Sequence, residues 1–137
     1  AASRRQHLIE KVLPALEKDT VVLCDRFVDS SLVYQGVGRG LGIDTVYQMN
    51  LFAIDDVMPD LTIFFDVKPE IGLARLHKDE NREVNRLDLE SLDFHQKVYN
   101  GYCEVANHFK DRIQTVDASQ NIEEVYAQVL AMVKAKL

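Results

Sequence analysis

Apolar positions along the first stretch of the chain recur at helical spacing. Leu8, Ile9, Val12, Leu13 and Leu16 fall on one face, which predicts a helix over 3–18. Pro14 has no N–H to donate, so a kink or division is expected there. Residues 20–24 (T-V-V-L-C) then form an unbroken, β-branched apolar run, the pattern of a buried parallel strand. A short helix over 28–35 can follow. Gly36, Gly38, Gly40 and Gly42 crowd into seven residues and predict a loop. Residues 43–57 have a helical pattern with Asp44 as a plausible cap, and Pro59 ends it. Residues 61–67 (L-T-I-F-F-D-V) predict a second buried strand, and Pro69 suits the first turn of a helix reaching about Leu76. Residues 78–90 are charged, lack an apolar period and predict an exposed loop. A long amphipathic helix over 92–109 and a third strand over 113–116 come next. Asn121 and Glu124 then form a cap-like pair opening a helix to Leu137.

Strands alternating with helices argue for an α/β fold, a parallel sheet with helices on both faces. The chain shows no repeat, linker or low-complexity tract, so one domain over 1–137 is expected. Ligands in such folds sit outside the carboxyl ends of the strands, which directs attention to Asp25 and Arg26. Composition narrows the chemistry. The 137 residues carry a net charge of -6, which disfavours a nucleic-acid polymer as partner. A small anion held by local arginines stays compatible. Cys24 and Cys103 are far apart and form no C-x-x-C pair, so reduced thiols buried in a cytoplasmic protein are expected. No apolar run of 18 residues predicts a membrane span. His7, His77, His95 and His108 share no metal-ligand spacing. Phe64, Phe65 and Phe94 are expected in the core.

The stretch richest in chemistry is D-R-F-V-D-S-S-L-V-Y-Q-G at 25–36. Arg26 leaves the predicted strand at the open edge and can fork onto a phosphate. Asp25 can hold a magnesium-bound water or orient Arg26. On a helix, Ser31 and Gln35 are four apart and share a face. Their hydroxyl and amide can read the polar edge of a base, with Tyr34 beside them against a sugar.

This segment resembles the D-R-[YF]…S-S…Y-Q-G signature of thymidylate kinases. The resemblance runs on through A-A-S-R-R-x-H-L at 1–8, P-D-L-T-I-F-F-D-V at 59–67, N-R-L-D at 85–88 with Phe94, Val98 and Tyr102, and V-D-A at 116–118. It implies a P-loop nucleoside-monophosphate-kinase-like three-layer α/β fold whose strands run in the order 2-3-1-4-5. It implies phosphorylation of thymidine monophosphate to the diphosphate, with ATP as co-substrate, magnesium as metal and a homodimer as assembly. Arg26 would hold the acceptor phosphate, and Arg4, Ser31 and Gln35 the thymine. Tyr34 would lie against the deoxyribose, and Asp25 would help place magnesium and the phosphates. A lid loop at about 77–90 would bring Arg82 or Arg86 over the transferring group. The 116–118 segment would lie beside the adenine.

The sequence departs from the pattern in places. Phe27 stands where tyrosine is frequent and lacks its hydroxyl. No Gly-Lys dipeptide occurs, so the G-x-x-x-x-G-K-[ST] phosphate loop is absent. The resemblance puts that loop, the first two strands and a thymine-stacking phenylalanine ahead of Ala1. The expectation is therefore a carboxyl-terminal portion, inactive by itself, with a gap in the sheet between the strands at 20–24 and 61–67. Such a gap would leave the chain marginally stable, repacked or dependent on partner chains. The competing readings are a deoxynucleoside kinase and a non-catalytic nucleotide-binding or assembly module.

Overall fold

A computed structural model describes residues 2–78 and 90–137. They divide into two compact units, Ala1–Met58 and Pro59–Leu137.

The first unit is helical. Helix α1 runs over 2–16, as Ala2–His7, a widened π-helical stretch Leu8–Val12, and Leu13–Leu16. The widening accounts for Pro14. A proline cannot donate to the carbonyl four residues back. The helix is already on the wider register just before it, where Leu13 N–H donates to the Leu8 carbonyl, five residues back. The helix is perturbed as expected but not cut. Helix α2 covers 28–38, as Val28–Ser31 followed by a π-helical Leu32–Gly38. It swallows the first two glycines of the predicted loop. Gly36 is buried, and a Cβ there would lie 3.2 Å from the Ile43 Cα, so the missing side chain is what lets α2 meet the next helix so closely. Helix α3, Ile43–Ile54, starts after Gly42, whose φ of 86° occupies the left-handed region glycine favours. Asp44 lies in the first turn and is not the cap, because the Gly42 turn already sets the entry. The helix stops at Asp55 in left-handed conformation, short of the predicted Val57. Leu8, Val28, Leu32, Val33 and Ile54 are almost wholly buried.

The strand predicted over 20–24 does not form: these residues join no ladder among the described residues. β-branched character suits a strand but cannot supply its partner. In the strand order that the resemblance implies, the neighbours of this segment are the first and second strands, neither of which is among the described residues. Leu23 is consequently 85% exposed, and Cys24 is exposed rather than in a core.

The second unit carries the sheet. Strands β1, Thr62–Asp66, and β2, Ile113–Asp117, pair in parallel, from Thr62 opposite Ile113 to Asp66 opposite Asp117. These are the fourth and fifth strands of the implied order, which are neighbours in it. Helices α4, Pro69–Lys78, α5, Leu92–His108, and α6, Ile122–Lys136, complete the unit. Phe64 stacks on Tyr102 of α5 with ring centroids 5.3 Å apart. Phe65, one residue on, points to the other face of the strand and is half exposed, against the core placement expected of it. Cys103 is also exposed, on α5. The Asn121–Glu124 capping box at the start of α6 is present with both of its hydrogen bonds.

Candidate functional site

The D-R-F segment follows residues 20–24 as a bend, and Asp25 and Arg26 are both exposed. Arg26 has a φ of 62°, in the left-handed region. A side chain with a Cβ holds that conformation at a cost of about 1–3 kcal/mol, and such residues gather at functional sites. The Cys24 Sγ lies 3.7 Å from the Arg26 carbonyl oxygen and donates to it, helping to hold the turn. Phe27 precedes the first turn of α2, and Asp29, buried within that turn, sits at the helix end that favours negative charge.

From α1, the Arg4 side chain reaches α2 and α3. Its Nη2 donates to Ser31 Oγ at 2.8 Å, and its Nη1 donates to Asn50 Oδ1. The guanidinium carbon stands 5.4 Å from the centre of the Phe27 ring, within cation–π range. Burial lowers the Arg4 pKa from its ordinary value, and negative charge on the Cys24 sulfur would act in the opposite sense as the smaller cause. The group still keeps its proton at neutral pH. The result is a half-buried positive charge held by two neutral oxygens and an aromatic face.

Of the residues singled out from the sequence, the structure thus brings Arg4 and Ser31 into contact. Asp25 and Arg26 lie in the turn leading to Phe27. Tyr34, half-buried, and Gln35, exposed, occupy the π-helical continuation of α2 beyond Ser31. Arg82 and Arg86, with most of the expected lid, lie outside the described residues. The described residues contain no group of three metal-ligating side chains. One exposed carboxylate, Asp25, suits magnesium, which takes most of its ligands from water and substrate phosphates and only one or two from carboxylates.

Two features escaped the sequence reading. Asn50 is one, although its signal was available: it follows Val46 by four residues and precedes Ala53 by three, a polar residue on the buried stripe of α3. Arg75 on α4 is the other. It donates to the carbonyls of Ala118 at 2.7 Å and Ser119 at 2.9 Å, closing the loop after β2. Nothing in its local sequence distinguishes it from a solvated surface arginine. The same loop holds Asp117, whose carboxylate accepts from the Ser119 hydroxyl and amide; both bonds lower its pKa.

Comparison with known proteins bears on the whole chain. A family model described as Thymidylate kinase matches residues 1–129. The thymidylate kinase of Bacillus cytotoxicus is 60% identical over 137 residues, covering all of this chain and 66% of that protein. Those of Bacillus cereus strain Q1 and a Geobacillus species are 56% and 58% identical, with 100% and 97% of this chain covered. This chain spans 66% and 63% of their lengths, so it is just under two thirds as long as the relatives it matches. The parallel β1–β2 pair with its helices agrees with the P-loop kinase fold. No helix among the described residues is long and apolar enough to cross a membrane. With the family model covering nearly every residue and the matching relatives aligned across the chain, this chain belongs to the thymidylate kinase family.

Proposed function

We propose that the whole protein transfers the γ-phosphoryl group of ATP to thymidine monophosphate, giving the diphosphate. Residues 1–137 would contribute to one thymidylate kinase-like domain that carries the acceptor side of the site. The observation that carries this reading is the Arg4–Ser31 contact. It joins a cation from α1 to the S-S element of the segment that most resembles the family signature.

In this scheme Arg4 and Ser31 meet the polar edge of thymine. The contacts to Ser31 and Asn50 use two of the five N–H donors of a guanidinium, so others can meet a ring carbonyl. Gln35 adds an amide to the same recognition, and Tyr34 lies against the deoxyribose. Arg26 forks onto the acceptor phosphate and aligns it for in-line attack. Magnesium, carried by the phosphates and Asp25, would offset their charge. Arg82 or Arg86 would supply further positive charge where it develops on the equatorial oxygens. Met49 at 60% and Phe52 at 92% exposure on α3 support a homodimer through that helix, with sedimentation of the Phe52→Glu variant as its test. The exposed thiols and the ATP requirement fit a cytoplasmic enzyme.

The test is a titration of the chain with thymidine monophosphate, beside a coupled kinase assay of the chain joined to the amino-terminal third of a relative. Binding by the chain and turnover by the joined form are expected. Arg26→Ala should weaken nucleotide binding at least about tenfold, because a charge-assisted fork is lost. Turnover of thymidine in preference to its monophosphate would sink the proposal in favour of a deoxynucleoside kinase.

A further inference from the structure

Asn50 lies on the buried face of α3 with Val46, Ala53 and Ile54 and is only 6% exposed. A primary amide placed there is costly unless its nitrogen and oxygen are both bonded. Its Nδ2 donates to the Val46 carbonyl one turn back, at 2.7 Å. That bond decides which way round the amide lies. With the nitrogen committed to the helix backbone, Oδ1 faces Arg4 and accepts from Nη1. Ser31 Oγ accepts from the other terminal nitrogen, Nη2. The guanidinium is therefore held at both ends, from α3 and from α2, beside the Phe27 ring.

We propose that Asn50 is a positioning residue for base recognition, acting through Arg4. This rests on the reading of Arg4 and Ser31 given above. A long arginine side chain surrenders its rotamer freedom when it binds a ligand; one already fixed by its neighbours has less to lose and binds more tightly. The neutrality of the amide matters too. A carboxylate at position 50 would fix the guanidinium equally well but would offset its charge. The amide oxygen fixes it and leaves the full positive charge to polarise a ring carbonyl.

The experiment is an NMR shift titration of the full chain, a readout that extends to millimolar affinities. Two ligands are compared: thymidine monophosphate, and 2-deoxyribose 5-phosphate, which lacks the base. Asn50→Leu, of similar volume, should lose about tenfold in affinity for thymidine monophosphate, the worth of one charge-assisted hydrogen bond. Its affinity for the sugar phosphate should be unchanged. Asn50→Asp, which retains an acceptor for Arg4, should recover part of the loss. Adding Asn50→Leu to Arg4→Ala should cost nothing further, since the amide acts only through the arginine. If Asn50→Leu does not fold, Asn50→Ser is titrated against the same two ligands with the same expectation. Equal loss for both ligands would mean a merely structural role and would overturn the inference, as would unchanged binding of thymidine monophosphate. Wild-type protein that fails to bind thymidine monophosphate, or Arg4→Ala that binds it undiminished, would instead overturn the underlying reading of the site, and this inference with it.

Discussion

The two units solve the same problem by different means. In Pro59–Leu137 the geometry is set by backbone: a parallel ladder of five register pairs, with helices attached. Polar side chains there mostly finish ends and loops. Arg75 bonds the carbonyls of 118 and 119, Asp117 bonds Ser119, and Asn121 and Glu124 cap α6. In Ala1–Met58 no ladder is present among the described residues. There the fixing contacts are between side chains 27 and 46 residues apart in sequence, Arg4 with Ser31 and Arg4 with Asn50. Side chain–side chain bonds are the minority class in folded proteins. Where they organise a unit, single substitutions can displace functional groups without touching a strand.

The comparison breaks if the first unit's helices do not depend on their own apolar core. Leu32 is fully buried in α2, directly after Ser31. Leu32→Ala should cost about 2–5 kcal/mol, the range for a leucine truncated in a packed interior. Urea denaturation followed by amide signals from α2 and α3 measures it. A loss below about 1 kcal/mol would mean that the site collapses around the smaller residue and that the core is looser than its burial implies.

The same contrast explains what could be foreseen. Helix positions and both paired strands follow from apolar periodicity and flanking prolines, and the Asn121–Glu124 box from a local motif. These are signals written within a few neighbouring residues. The error at 20–24 has the opposite origin. Val21, Val22 and Leu23 have the right propensity, but strand formation needs a neighbour that local sequence does not specify. The misplaced burial of Cys24 follows from that error, while Phe65 shows only that a strand has two faces. At the candidate site, Arg4 and Ser31 were singled out through a family likeness, each as a contact to thymine, and their bond to one another was not foreseen. Asn50 went unnoticed because its partner is remote in the chain, although a polar residue on an apolar stripe was a visible anomaly. Arg82 and Arg86, expected in a lid, lie outside the described residues.

A smaller effect sharpens the comparison from the side of the second unit. Arg75 is exposed, so its bonds to the loop carbonyls compete with water. Arg75→Ala should cost only about 1 kcal/mol in global stability, the lower end for bonds to a charged group. Hydrogen exchange at amides 119–121 should accelerate, while amides of the β1–β2 ladder, with that of Ala118 bonded to the Asp66 carbonyl, keep their protection. Loss of protection along the ladder itself would show that this side chain does more than close a loop, and that the unit is not governed by its backbone.

The smallest effect is a pH dependence confined to alkaline solution. Tyr99 on α5 donates to the Asp66 carboxylate at the end of β1. That bond is the main reason its pKa is pushed up to about 12, with burial and Cys103 adding to it. The phenol is therefore more reluctant to ionise in the folded protein than in the unfolded chain, where 10.0 is the ordinary value. Its contribution to stability is complete below pH 10 and fades as pH rises from 10 towards 12. Urea midpoints across that interval should fall more steeply for the wild type than for Tyr99→Phe, which has no proton to lose. Below pH 10 the two curves should run parallel, offset by the missing bond. Parallel curves throughout would mean that the phenol–carboxylate contact does not persist in solution. The end of β1 would then be fixed by its ladder alone, which is the contrast with the first unit in its strongest form.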